Sequence, residues 1–549
     1  MYPLGHSLLL THHSSLLTHH SLLITHYYNK NMPEHLRALV VILVLATAVF
    51  VFAKAPACAL ASTRGDFERR RNLWFGITLV AFLAHDFWIY IIVTAVLLLF
   101  TLPREPNKLA MFFFLLFAVP AISAEITGLG IIAHFFTIDY IRLLALTVLL
   151  PAFLSLRTQP DVERFGRTLP DKLIAGYIVL NFLLMLTAST FTNTLRSGVF
   201  YPFMDVFLPY YVASRSLKNL QGFRDALMGF AVAALVLSAI AAFEFARHWL
   251  LYSSLDDVLG VQWGYGNYLE RGQGSLRALG SVGQPIPLGY VMAVAAGFFL
   301  YLRKSVPNTI AWGLGLLLLI VGLIASVSRG PWVGAAAMLL VFIATSPFAG
   351  RRLVQLGLLG ILIFPVLLVT PAGEKIIDYL PFVGTVEAEN VTYRQRLLEN
   401  SIQVILQNPF FGASDFIYSP AMQELKQGQG IIDIVNTYLG IGLGSGLVGL
   451  SLFSGFFVAV AVGIFKGMRN LADRNSELYL LGQVLFSTLL GILVIIFTVS
   501  SISVIPVIYW SVAGLGVAYA RMLALAKAPE KSTGTARFSR FQPATMRNR

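Results

Sequence analysis

The sequence predicts an all-α polytopic membrane protein, and three observations carry that prediction. Of 549 residues, 57% are hydrophobic and only 12% are charged, where soluble domains carry roughly 25% charged residues. Apolar runs of ~17–25 residues, the length that crosses a bilayer as a helix, recur from end to end. The Lys and Arg concentrate in alternate connecting segments, among them "STRGDFERRR", "FKGMRNLADR" and the carboxyl-terminal tail, which is the charge bias that orients helices in a membrane.

Residues 1–31 stand apart. They hold the near-repeats "SLLLTHH", "SSLLTHH" and "SLLITHY" and six of the ten histidines. With no basic n-region and no unbroken apolar core they lack the pattern of a signal peptide, and they read as a low-complexity leader ahead of a start at Met32. Within 32–524, apolar runs fall near 36–53, 73–102, 109–123, 139–155, 172–189, 197–212, 223–246, 286–302, 309–328, 332–347, 352–370, 437–464, 477–499 and 502–523. These predict about fourteen transmembrane helices. The run 73–102 is too long for one untilted span at ~1.5 Å per residue, so "AHD" at 84–86 reads as a hairpin turn between two helices.

The basic tail 525–549 is expected in the cytoplasm. Counting back from it places the loops 247–285 and 371–436 outside, together with the turn at Arg329. The single cysteine, Cys58, leaves no internal disulfide and no Cys-based metal site. The net charge of +13 is explained by topology, so no nucleic-acid partner is expected. The sequence holds no Walker A loop, no D-x-D pair and no suitably placed GxGxxG, so neither a cofactor nor a metal is expected.

Three segments carry the polar residues that hydrocarbon makes costly. In "SVSRGPWVG" a guanidinium, Arg329, sits between two apolar runs, where it cannot shed its charge. "TYRQRLLENSIQVILQNPFFG" reads as an amphipathic helix of about four turns, with Leu397, Leu398, Ile402, Ile405 and Leu406 at helical spacing. Arg394 and Arg396 open it, Asn408–Pro409 end it, and Gly412 permits a turn back towards the membrane. "VNTYLGIGLGSGLVGL" then returns into an apolar run.

In this order the three segments resemble the O-antigen ligase/O-antigen polymerase family of bacterial inner-membrane glycosyltransferases, over roughly 323–450. The likeness lies in S-x-SRG-x-W-x-G, in an arginine followed by an amphipathic helix and P-x-x-G, and in N-x-x-L followed by G-x-x-G. It implies a GT-C-like architecture in the bacterial inner membrane, with the large external loop carrying the amphipathic helix. It also implies metal-independent, inverting transfer of a glycan from an undecaprenyl-diphosphate carrier to an acceptor glycan or lipid on the periplasmic face. Arg329 and Arg394 match the family's arginines and would grip the diphosphate, with Arg396 beside them; guanidinium pairs bidentately with phosphate and stays charged. "RGQGSLRALGSVGQPIPLGYV" is similar to the segment before the next span in polysaccharide ligase relatives, where a histidine commonly stands at Gln284, and Arg277 is its candidate ligand for phosphate or sugar.

One departure matters. The family's histidine before asparagine is Val435 here, ahead of Asn436, and no histidine follows His248. A base within hydrogen-bond reach of the acceptor hydroxyl must then come from Asp433, Glu399, Glu387 or Glu389, and Asp433 lies nearest Asn436. The alternative for Arg329 is a snorkelling interfacial anchor; for Arg394 and Asp433 it is an ordinary loop charge. Asp205, inside an apolar run, suits either a proton relay or an ion pair with Arg142 or Arg196. As a whole the sequence also suits a transporter or flippase of lipid-linked oligosaccharide, or a non-catalytic relative, although no internal repeat of the transporter kind is visible.

Overall fold

A computed structural model describes residues 32–128, 130, 134–262, 270–271, 274–304, 306, 308–369, 388–427 and 430–527. The leader 1–31, the loop residues 264–268 and 370–387 and the tail beyond 527 lie outside this set. The helices of eight or more residues, in chain order, are α1 (Glu34–Leu60), α2 (Arg64–Leu83), α3 (Phe87–Thr101), α4 (Lys108–Leu115), α5 (Tyr140–Thr158), α6 (Leu169–Ala188), α7 (191–216) and α8 (Leu220–Arg247). They continue as α9 (Pro285–Tyr301), α10 (Thr309–Ala325), α11 (Arg329–Ala344), α12 (Ala349–Val369), α13 (Ala388–Gln407), α14 (Thr437–Arg469), α15 (Glu477–Ile496) and α16 (Ile505–Lys527).

The predicted class holds, with one correction. Among the described residues, eight helices are long and apolar enough to cross a membrane, and α9, α10 and α11 are apolar and 16–17 residues long. The run 109–123 is not a span. Its helix α4 ends after eight residues, and the chain turns into an antiparallel hairpin, β1 (Ser123–Thr127) with β2 (His134–Asp139). Ser123 and Thr127 give β1 polar ends that a lipid-facing helix would expose. The predicted turn at 84–86 is present: His85 has φ 53°, and Asp86 caps α3 by accepting from Ile89 N.

A large part of the core comes from α8, α9, α15 and α16, including Phe230, Tyr290, Phe298, Leu485 and Trp510, and it extends through α1–α5 and α14. Its two ends differ in chemistry. One end is tied by ion pairs: buried Arg70 bridges Glu105 (2.6 Å) and Asp225 (2.7 Å), buried Arg215 meets Asp171 (2.7 Å), and half-buried Arg224 meets Glu477. These belong to the basic segments that the charge bias places in the cytoplasm. Beside the β1–β2 hairpin, Asp205 pairs with Arg142 at 3.0 Å, and Arg142 also donates to Thr137 O, the structural alternative for that carboxylate. The opposite end is built from tight turns.

Candidate functional site

Four turns meet at that opposite end. The 277–283 segment lies against the α10–α11 turn, with Ala278 N donating to Ala325 O (3.0 Å) and Arg277 Nη2 donating to Ser328 Oγ (3.0 Å). The α15–α16 turn touches both neighbours. An added Cβ on Gly330 would strike Thr498 Oγ1, while Ser503 Oγ donates to Val282 O (3.5 Å). The start of α14 closes the group: Thr437 N and Oγ1 both donate to Val499 O (3.0 and 2.9 Å). Arg277, Arg329, Asp433 and Asn436 therefore all stand on turns that are hydrogen-bonded or packed into one cluster.

Each turn has a local cause. Val327 takes φ 43° and Ser503 φ 53°, left-handed backbone that non-glycine residues, the β-branched valine above all, adopt only under constraint, at about 1–3 kcal/mol. Two of the four non-glycine residues with positive φ among the described residues thus fall in this cluster. Ser326 and Ser328 are buried, and each spends its hydroxyl on a carbonyl of the same turn, Leu323 O (2.7 Å) and Ser326 O (2.9 Å). The serines of S-x-SRG thereby fold the turn so that Arg329 opens α11. Arg329 itself is half-buried.

Helix α13 reaches the cluster through Tyr393. Its hydroxyl donates to Asp433 O (2.9 Å) and accepts from Asp433 N (3.0 Å), clamping that residue's backbone. The Asp433 carboxylate accepts from Ser500 Oγ (3.3 Å). Surrounding chain partly desolvates this carboxyl and pushes its pKa up, while the Ser500 hydrogen bond and then the positive charge of Arg394 pull it down. Arg394 therefore stands within electrostatic reach of Asp433. Arg396, two residues on, is exposed on another side of the helix, and no described contact ties it to the cluster. Of the other carboxylates, Glu399 accepts from Gln395 on the exposed helix surface, Glu387 lies outside the described residues, and so does the side chain of Glu389.

Asn436 is buried as the N-cap of α14, its Oδ1 accepting from Tyr438 N (2.9 Å) and Leu439 N (3.2 Å). Those two bonds satisfy donors that a helix start leaves open. The asparagine of N-x-x-L thus has a structural task whatever else it does, and the half-buried Val435 beside it offers no proton acceptor.

The P-x-x-G and G-x-x-G segments interlock. Leu447 N donates to Pro409 O (2.7 Å), Val448 N to Phe410 O (3.1 Å) and Ala413 N to Leu443 O (2.9 Å). At the crossing Gly412 has φ 67° and Gly446 φ 64°, ψ −167°. An added Cβ would strike Leu443 O from Gly412 and Phe410 O from Gly446. Only glycine satisfies both the backbone angle and the space.

Glu244 was not legible as part of the site. Buried at the near end of α8, its carboxylate accepts from Leu251 N (3.0 Å), Leu279 N (2.9 Å) and Gly280 N (2.8 Å). It pins the loop after α8 and the segment carrying Arg277. The one signal for it in the sequence is a lone glutamate closing the apolar run 223–246. Among the described residues, no group of three or more His, Cys, Asp or Glu is placed to hold a metal ion.

Residues 314–454 match the family model described as O-antigen ligase. That match supports the O-antigen ligase/polymerase family. The O-antigen ligase segment covers the Arg329 turn, α13, Asp433, Asn436 and the interlocked glycines, and leaves out Arg277 and Glu244. Among the described residues, eight helices are long and apolar enough to cross a membrane, and the match lies within that apolar chain. No curated protein matches the chain.

Proposed function

We propose that the chain transfers a glycan from an undecaprenyl-diphosphate carrier to an acceptor glycan or lipid on the periplasmic face of the bacterial inner membrane, without a metal. One observation carries the reading: the turn bearing Arg329 and the helix bearing Arg394 both join the α15–α16 turn, the first through Gly330–Thr498, the second through Tyr393–Asp433–Ser500. Arg329, Arg394 and Arg277 would hold the diphosphate and stabilise charge building on it as the glycosidic bond breaks, as charge clamps do for leaving phosphates. Asp433 would take the acceptor hydroxyl's proton. Its raised pKa moves it towards the operating pH at which a general base is most effective. Asn436 would orient Asp433's turn through its cap, and Arg396 would contribute charge at the rim.

The test is transfer of lipid-linked glycan by purified protein in liposomes, wild type against Arg329→Ala, Arg394→Ala and Asp433→Asn. Loss of an oxyanion-type donor typically costs ~10²–10³ in rate, and each arginine variant is expected to fall in that range. Full transfer by both arginine variants would defeat the clamp. Full transfer by Asp433→Asn alone would remove the base and leave the clamp standing.

A further inference from the structure

Helix α13 carries more apolar surface than its own packing uses. One face is buried: Leu397 (1% exposed), Ser401 and Val404 pack with Met422, Leu425 and Leu443 as a small separate core. At roughly 100° per residue, Val391, Leu398, Ile402 and Leu406 form a second stripe beside that face. All four are exposed, Leu398 at 42% and Ile402 at 46%. Arg396, Glu399, Gln403 and Gln407 make the third, polar side; Gln395 falls at the angle between Ile402 and Leu406 and donates its amide to Glu399 on that polar side (3.1 Å). An amphipathic helix in water needs one apolar face, and this one has two.

The second stripe continues into the chain that follows. Phe410 and Phe411 are exposed at 67% and 54%. Just before and at them, Pro409 O and Phe410 O accept from Leu447 N and Val448 N inside the apolar helix α14, where Leu447 is itself 46% exposed. The two phenyl rings therefore stand level with the outer surface of a membrane-crossing helix.

We propose that α13 lies in the plane of the bilayer, with Val391, Leu398, Ile402 and Leu406, followed by Phe410 and Phe411, seated in the leaflet on the site side. Interfacial helices immerse such a stripe by about 5–10 Å, at the boundary between headgroups and acyl chains. Helical spacing places Arg394 on the seam between the buried face and the lipid-facing stripe, which fixes it at the height of lipid headgroup phosphates. A lipid-linked diphosphate arriving by lateral diffusion meets the arginine at its own depth and need not leave the membrane. This consequence rests on the glycan-transfer reading; the position of the helix does not.

The experiment uses the full chain in vesicles of phosphatidylethanolamine and phosphatidylglycerol. In a Cys58→Ser background, Ile402→Cys and Gln403→Cys carry nitroxide labels, and relaxation by oxygen is compared with relaxation by a water-soluble nickel chelate. The label at 402 should be relaxed chiefly by oxygen and the label at 403 chiefly by the chelate, their ratios differing severalfold. Phe410→Cys gives a third reading, expected to lie deeper than 402. Equal chelate access at 402 and 403 would put the helix in water and overturn the proposal. Shielding of 402 from both reagents, by residues 370–387 or by a second copy of the chain, would overturn it too. None of these readings depends on catalysis, so failure of the transfer assay and failure of this inference are separate results.

Discussion

Replacing Glu244 by glutamine tests whether the chemistry-bearing turns are held from behind. Three amide donors converge on its two carboxylate oxygens, at 3.0 Å from Leu251, 2.9 Å from Leu279 and 2.8 Å from Gly280, the arrangement that suits an ionised carboxylate. Glutamine keeps one oxygen, which suffices for Leu279 and Gly280, and turns an NH2 group towards the Leu251 amide. One buried donor is then left without an acceptor, at about 1–3 kcal/mol. If that cost falls on local opening, amide exchange in the 249–252 and 276–281 segments should accelerate roughly 5- to 150-fold. Exchange of α6, whose described side-chain bonds run to Tyr210 and Arg215, should not change. Hydrogen exchange followed by mass spectrometry of the detergent-solubilised chain measures both. Arg277 would keep its charge but lose its fixed approach to Ser328, so transfer should fall through a higher KM more than a lower kcat. Unchanged exchange in both segments would refute the reasoning, because the three hydrogen bonds would then not be holding the loop.

Gly446→Ala should destabilise the chain by more than the ~1–3 kcal/mol of a strained backbone residue, since the new methyl also meets Phe410 O; a fluorescence melt in detergent would show it. Arg394→Gln removes a charge that lowers the Asp433 pKa, so the acidic limb of transfer should move to higher pH; an unmoved limb would mean that another group is the base. The same raised pKa has a sign for stability: ionising Asp433 is harder in the folded chain than in the unfolded one, so its contribution is fully present below the unfolded pKa and is lost as pH rises through the folded one. Asp433→Asn should flatten that decline in a series of melts. Arg70→Met leaves Glu105 and Asp225 without their shared guanidinium and should cost about 3–5 kcal/mol, read as loss of folded yield while the opposite end of the molecule keeps its hydrogen bonds.

The class of fold was legible because hydrocarbon imposes length and apolarity on every crossing helix. The hairpin at 84–86 was legible for the same reason, since one helix could not use so long a run. The run 109–123 misled because apolar content cannot tell a membrane crossing from a short, fully buried helix: every residue of α4 from Leu109 to Leu115 is buried inside the protein. At the site, Arg329 was readable as a charge in a costly place, and Arg394 and Arg277 through the resemblance of their segments to the ligase family. Ser500, Thr437 and Tyr393 were not, because a hydroxyl in a loop carries no pattern until its distant partner is known. The helix after residue 388 was found, but its five apolar residues were read as one face. The structure divides them, with Leu397 inside and Leu398, Ile402 and Leu406 outside, a split that depends on what packs alongside.

The crossing of Gly412 with Gly446 has a consequence for how this loop can vary. Three backbone hydrogen bonds fasten its last stretch to the returning helix, so the stretch from Tyr393 to Gly412 has a fixed length: one inserted residue would pull the tyrosine off Asp433 or the glycine out of its notch. Variation in size must be taken up elsewhere, ahead of residue 388. Chimeras that exchange loop segments between relatives should therefore tolerate a junction upstream of that point and fail with one placed between 393 and 412.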